Sequence, residues 1–392
     1  MNHRFNLRTI VAVAVVLAVT AVAPAAELAE EIRTIRGVAA EGRGNQEAAA
    51  AWREMVRHKA QALPEILAAF DDANPLAVNY LRSAVETIAQ RELENGGSLP
   101  AVELERLVRD TKHDPRGRRL AYELIAGVDS SAPDRIIPEM LHDPSVEFRR
   151  DAVARLIEQA PQRLSAGDQA EARKLLAEAL DAARDDDQVQ AIKKQLEGLG
   201  EKVDLPRHFG FLLNWRLIAP FDNTDKKGLA AVYPPENELD FSAMYEGKEK
   251  KKIGWVEYTT DSEYGIVDLA KALGPFKGAV AYATTEFQST EKLPVEFRLG
   301  TPNSWKVWLN GELLFAREEY HRGMSLDQYK MRGTLKAGKN VILIKICQNE
   351  QTEVWAQRWQ LQLRVCDATG TAVLSADRTA KPAQPAASSG GN

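Results

Sequence analysis

Residues 316–329 bring Arg317, Glu318, Glu319, Tyr320, His321, Arg322 and Asp327 into one short polar stretch. Such side chains recognise ligands through charge-assisted hydrogen bonds and aromatic contact, and they do so most often on loops carried by a rigid scaffold. Just upstream, Lys306-Val307-Trp308-Leu309-Asn310-Gly311-Glu312 adds a tryptophan. Strand parity sets Trp308 with Lys306 on the face opposite Val307 and Leu309. An indole placed there stacks on the apolar face of a sugar while the sugar hydroxyls find polar neighbours. The plainer account makes Trp308 a second layer of core under covering loops, because Trp is highly buried on average. Asn310-Gly311 is the dipeptide best suited to a two-residue hairpin turn, in which both residues take positive φ. The candidate ligand-binding residues are Trp308, Asn310, Glu312, Tyr320, His321 and Arg322, with an ordinary solvated loop as the alternative for the last three.

No catalytic residue is assigned. The sequence contains no Gly-x-Ser-x-Gly, His-Glu-x-x-His, Cys-x-x-Cys or phosphate-binding loop. Its histidines (His3, His58, His113, His142, His208, His321) are scattered without metal-ligand spacing, so neither metal nor cofactor is expected. Paired carboxylates could still meet in space among the 56 acidic residues. With no site signature, the expectation is a chain that is not an enzyme.

The formal net charge is −5, and a mildly acidic chain lacks the clustered Lys and Arg of a nucleic-acid partner. At the N-terminus, Arg4 and Arg8 precede an apolar run from Ile10 to Val22, and Ala23-Pro24-Ala25 follows. This is the pattern of a signal peptide, residues 1–25, cleaved after Ala25. It predicts an exported, periplasmic or extracellular protein, held at a membrane only if the segment stays uncleaved. No cysteine follows the run, which excludes a lipid anchor of that kind. Cys347 and Cys366 are expected to be free thiols, because strands over 340–347 and 354–366 in one hairpin would hold them about 40 Å apart.

The elements that must carry these residues fall into two classes. From 27 to 202 the chain is rich in Ala, Leu, Glu and Arg, with apolar residues at helical spacing. One shape recurs: a capping residue, often Pro, then a helix with an Ala and Leu/Ile core. It appears at Asn74-Pro75, Asp114-Pro115, Asp143-Pro144 and Asp187-Gln188, with partner helices expected around Leu63-Pro64 and Ile137-Pro138. The run Asp143-Pro144…Phe148-Arg149…Ala152…Leu156 resembles the second helix of HEAT repeats. That resemblance implies an α-solenoid acting through contacts with a partner protein.

Gly198-Leu199-Gly200 and Leu205-Pro206 end the helical pattern, and period-two alternation begins. Val295, Phe297 and Leu299 alternate with Glu296 and Arg298, and Ile342, Ile344 and Ile346 recur at every second position, which argues for half-buried antiparallel strands. The Asn-Gly string, Leu335-Lys336-Ala337-Gly338-Lys339-Asn340-Val341, Trp215 and Pro220-Phe221 together resemble the galactose-binding-like domain of family 2 glycosidases. The expected architecture is multidomain, α plus all-β. An N-terminal HEAT-like solenoid (27–202) precedes a C-terminal antiparallel β-sandwich of jelly-roll, galactose-binding-like type (206–376) and a disordered tail (377–392). The expected role is a non-catalytic binding or adaptor protein, with a glycan on the sandwich and a partner protein on the helices. The alternative is a protein-interaction scaffold with no glycan ligand.

Overall fold

The structure, a computed structural model, describes residues 25–378. The signal-peptide reading and the tail reading lie outside the described residues, apart from Ala25, Asp377 and Arg378. Helices occupy the N-terminal half and antiparallel sheets the C-terminal half, and the chain divides into two compact units between Ile192 and Lys193.

In the first unit two of the four expected caps, Asn74 and Asp114, open helices, whereas Asp187 lies inside the helix Asp186–Gly198. Asn74 Oδ1 accepts from the amides of Leu76 and Ala77, both at 3.0 Å, and opens the helix Pro75–Glu94. Asp114 Oδ1 accepts from Arg116 N at 2.8 Å and opens Pro115–Val128. Proline fits both first turns because its missing N–H has no helical partner there. The expected partner segments are present as the helix Leu63–Ala68 and the 3-10 turn Ile137–Met140. Gly117 allows the close approach: a Cβ there would lie 2.8 Å from Leu67 O.

Asp143 departs from the pattern. Helix Val146–Ser165 starts two residues after Pro144, with Ser145 at its cap position. The Asp143 carboxylate instead meets the Arg118 guanidinium, with Nη1–Oδ1 at 2.9 Å and Nη2–Oδ2 at 2.6 Å. Both side chains are buried, Arg118 completely. Arg118 Nε also donates to Val108 O at 2.8 Å, and its guanidinium lies over the Phe148 ring. Further along, Arg150 grips Asp187 with two hydrogen bonds of 2.8 and 2.7 Å. Apolar packing of Ala, Leu, Ile and Phe side chains surrounds the Arg118–Asp143 pair, whereas Arg150–Asp187 lies at the surface.

The second unit holds twelve strands among the described residues: β1 (Asn214–Asp222), β2 (Tyr245–Glu246), β3 (Lys252–Ile253), β4 (Val256–Thr259), β5 (Val267–Asp268), β6 (Ala279–Ser289), β7 (Leu293–Gly300), β8 (Ser304–Leu309), β9 (Glu312–Arg317), β10 (Tyr329–Leu335), β11 (Gly338–Gln348) and β12 (Gln360–Cys366). One antiparallel sheet runs β4-β1-β6-β11-β8-β9, a second β10-β7-β12-β5, and β2 pairs with β3. Alternate residues of both larger sheets enter one apolar cluster that includes Leu217, Phe297, Trp305, Ile344 and Leu363. Each such side chain contributes about 1.5–3 kcal/mol by leaving water. The outer face of the six-stranded sheet carries a smaller cluster of Ile218, Phe221, Val280, Tyr282, Leu343 and Cys347.

Cys347 and Cys366 are free and buried, but not for the expected reason. β11 pairs with β6 and β8, and β12 with β7 and β5, so the two strands lie in different sheets and form no hairpin. Residues 354–359, read as strand from the sequence, form a 3-10 turn and a connection before β12.

Asp143→Asn leaves the buried Arg118 charge without its counter-ion and is expected to cost about 3–5 kcal/mol. Urea unfolding measures this. The double variant Arg118→Met, Asp143→Leu, which leaves no unpaired charge, is expected to be more stable than Asp143→Asn.

Candidate ligand-binding site

The β8–β9 hairpin separates the sequence-derived candidates. Its turn is made by Asn310 (φ 54°) and Gly311 (φ 85°), the left-handed pair that the sequence predicts. Asn310 Nδ2 donates to Asn340 Oδ1 at 2.9 Å, and Asn310 Oδ1 accepts from Val341 N at 3.0 Å, so this side chain extends the β8–β11 ladder. Glu312, exposed beside the turn, borders a cleft of about 860 Å³ with Leu293, Val295, Leu309, Leu314 and Arg332. Trp308 is half-buried against the outer cluster of the six-stranded sheet, as a second layer would be.

Tyr320, His321 and Arg322 lie at the other end of the hairpin and are brought together. Here the connections after β1, β7, β9 and β11 converge, and four buried amide side chains join them. Asn223 Nδ2 donates to Gln348 O at 2.9 Å and to Tyr320 Oη at 3.2 Å, while its Oδ1 accepts from Gly228 N at 2.9 Å. Asn303 Nδ2 donates to Gln348 Oε1 at 3.0 Å, and Asn303 Oδ1 accepts from Gln360 N at 3.3 Å. Gln348 Nε2 donates to Ala356 O at 3.0 Å. Asn349 Oδ1 takes the His321 Nε2 hydrogen at 2.9 Å, and Asn349 Nδ2 donates to Gln351 Oε1 at 2.8 Å. All four are buried, and a satisfied polar network in a low-dielectric interior rigidifies what it joins.

This network presents an aromatic surface. The turn Val354–Ala356 is fixed through Ala356 O, which also accepts from Lys277 Nζ at 2.9 Å. It projects Trp355, 60% exposed, whose ring meets the His321 ring edge-on at 4.9 Å and 89°. Lys226 Nζ lies 5.6 Å from the centre of the Tyr320 ring. Burial pushes the Tyr320 hydroxyl up to about 12, so it stays protonated at neutral pH beside buried Asn223. Asp225, Lys226 and His321 all have left-handed backbones, with φ of 57°, 60° and 58°. Each costs about 1–2 kcal/mol relative to ordinary backbone, and such residues gather at ligand clamps.

Ion pairs hold loop 316–329 in place. The Arg317 guanidinium at 2.7 Å, with the Tyr329 hydroxyl at 2.8 Å, holds the Glu319 carboxyl down at about 2. Arg322 approaches the same carboxylate at 3.5 Å and is otherwise exposed. Asp327 closes the loop on the four-stranded sheet, receiving Arg298 Nη1, Arg364 Nε and Arg364 Nη2, each at 2.6 Å. Burial pushes the Asp327 carboxyl up, but the two guanidiniums outweigh it and hold it below the usual range. Among the described residues no group of three or more His, Cys, Asp or Glu side chains is placed to hold a metal ion.

Asn223, Asn303, Gln348, Asn349 and Trp355 escape the sequence reading. Asn and Gln between strands read as solvated loop, and Trp355 fell inside a stretch read as strand. Its one local signal was its place between the charged and polar residues Glu353 and Gln357.

The sequence matches no protein-family model and no curated protein. Among solved structures it is similar to a β-glucosidase from Kluyveromyces marxianus in complex with glucose, at 17% identity and a TM-score of 0.19, over 23% of this chain and 11% of that one. A selenomethionine-labelled β-glucosidase from the same organism matches at 14% identity and TM-score 0.26, over 44% and 22%. A GH31 α-xylosidase from Xanthomonas citri matches at 14% and 0.18, over 28% and 14%. The chain thus spans less than a quarter of the length of each of these proteins. The expectation that the chain is not an enzyme is corrected by this finding, because the solved structures it matches are glycosidases. That expectation rested on missing local motifs, and glycoside hydrolysis needs only two carboxyl groups that meet in space from any positions in the sequence.

The folded pKa of Asp327 lies below its unfolded value of about 3.9, so its stabilisation is complete above that value and is lost as pH falls through the folded one. The urea midpoint of the wild type is therefore expected to fall more steeply below about pH 4 than that of Asp327→Asn, whose midpoint is lower at neutral pH.

Proposed function

We propose that this protein binds a glycan at the loop end carrying Trp355, His321 and Tyr320. The observation that carries the reading is the exposed Trp355 indole set against His321, itself anchored on buried Asn349. An exposed aromatic held by a preorganised support offers a stacking face without an ordering penalty on binding. Arg322, Lys226 and Glu350 belong to the same loop end as hydrogen-bonding partners for sugar hydroxyls; Glu350 Oε1 already accepts from Asp225 N at 2.6 Å. In this reading the two sheets with their shared core are a galactose-binding-like sandwich and the helices a HEAT-like array for a partner protein. The whole is an exported protein whose signal peptide is removed.

A second reading, contact with another protein, draws on a separate group. Phe241, Met244 and Val256 are exposed apolar residues of the second unit, with Trp255 edge-on to Phe241. Apolar residues gathered at a surface are the usual mark of a protein interface.

A glycan array probed with the full chain is expected to give binding that Trp355→Ala lowers roughly tenfold or more, as loss of one stacking contact implies. Trp308→Ala is expected to leave glycan affinity within about twofold. Silence on the array from folded protein, or binding insensitive to Trp355, contradicts the proposal and favours the protein-contact reading.

A further inference from the structure

We propose that β9 pairs antiparallel with β9 of a second copy of this chain, joining two six-stranded sheets across a two-fold axis. Among the described residues β9 is the end strand of its sheet, with β8 as its one ladder partner. Five of its six residues are exposed, including Leu313 at 49% and Phe315 at 50%. Free edges of this kind are commonly blunted with Lys, Pro or inward-pointing charge. The strand Glu312-Leu313-Leu314-Phe315-Ala316-Arg317 has neither Lys nor Pro; it does carry a bulge opposite the Val307/Trp308 step, and its two charged residues stand at its ends, leaving four apolar residues between them.

The strand is complementary to itself in one register. Glu312, Phe315 and Arg317 lie opposite Leu309, Val307 and Trp305, all core residues, so they take the core-side face. Leu313 and Ala316 lie opposite Trp308 and Lys306 and take the outer face. Leu314, the extra residue of the bulge, packs on the core. Setting residue 312 opposite residue 317 of the second copy aligns 313 with 316 and 314 with 315. Every pair then joins side chains of the same face, apolar against apolar in the middle. At both ends the Glu312 carboxylate meets an Arg317 guanidinium, whose five donors exceed those used in its contact with Glu319. A parallel in-register pair would instead set Glu against Glu and Arg against Arg. A two-fold interface needs a self-complementary patch, which this register provides.

Sedimentation equilibrium of the full chain is expected to show a concentration-dependent species at twice 43.4 kDa. Glu312→Arg and Arg317→Glu each set like charges at both ends and are expected to weaken association roughly tenfold or more. An equimolar mixture of the two variants pairs opposite charges again and is expected to recover the dimer. Phe315→Lys, which touches neither ion pair, is expected to lose it. A wild type that remains at the single-chain mass overturns the proposal, as do single variants that associate like the wild type. A mixture that fails to recover overturns the register.

Discussion

Asn223, Asn303, Gln348 and Asn349 are buried amides whose hydrogen-bonding atoms reach backbone or side-chain partners on four different connections. An amide left unsatisfied in such a place would cost about 1–3 kcal/mol, so the network is stable only when all of its loops are in position together. That condition makes the loop end a single platform. The turn that carries the exposed Trp355 is gripped from below through the carbonyl of Ala356.

The ion pairs act at the margins of that platform. Asp327 draws loop 316–329 onto Arg298 and Arg364 of the four-stranded sheet, while Asn223 ties the same loop, through Tyr320, to the end of β11 in the six-stranded sheet. One loop therefore spans the ends of both sheets. In the helical unit, Arg118 and Asp143 play a comparable part, spending a buried charge pair to fix the start of one helix against another. Replacing such a pair by apolar side chains is often harmless to stability. What these pairs supply is position.

Local chemistry was legible in the sequence and distant chemistry was not. Asn310-Gly311 makes its turn because the requirement for positive φ is met by the two residues themselves. Asn74 and Asp114 cap their helices because the accepting oxygen and the donating amides are two or three residues apart. Asp143 carries the same Asp-Pro signature, yet Arg118, 25 positions away, claims its carboxylate. Residues 354–359 read as the start of the strand that follows, but Gln348 and Lys277 hold Ala356 O in a turn. The buried amides were illegible for the same reason: Asn and Gln are mostly exposed, and only the partners from other loops make these exceptions.

The central claim is that the amide network makes the loop end rigid, and native-state hydrogen exchange tests it most directly. The amides of Gly228 and Gln360 donate to Asn223 and Asn303, and that of Gly278 to Asn349 O. The account predicts that these three exchange as slowly as the core amides of β6 and β11, opening only when the second unit unfolds. Exchange at the rate of freely opening surface loops would contradict it, and would leave Trp355 on a support that is not preorganised for a ligand.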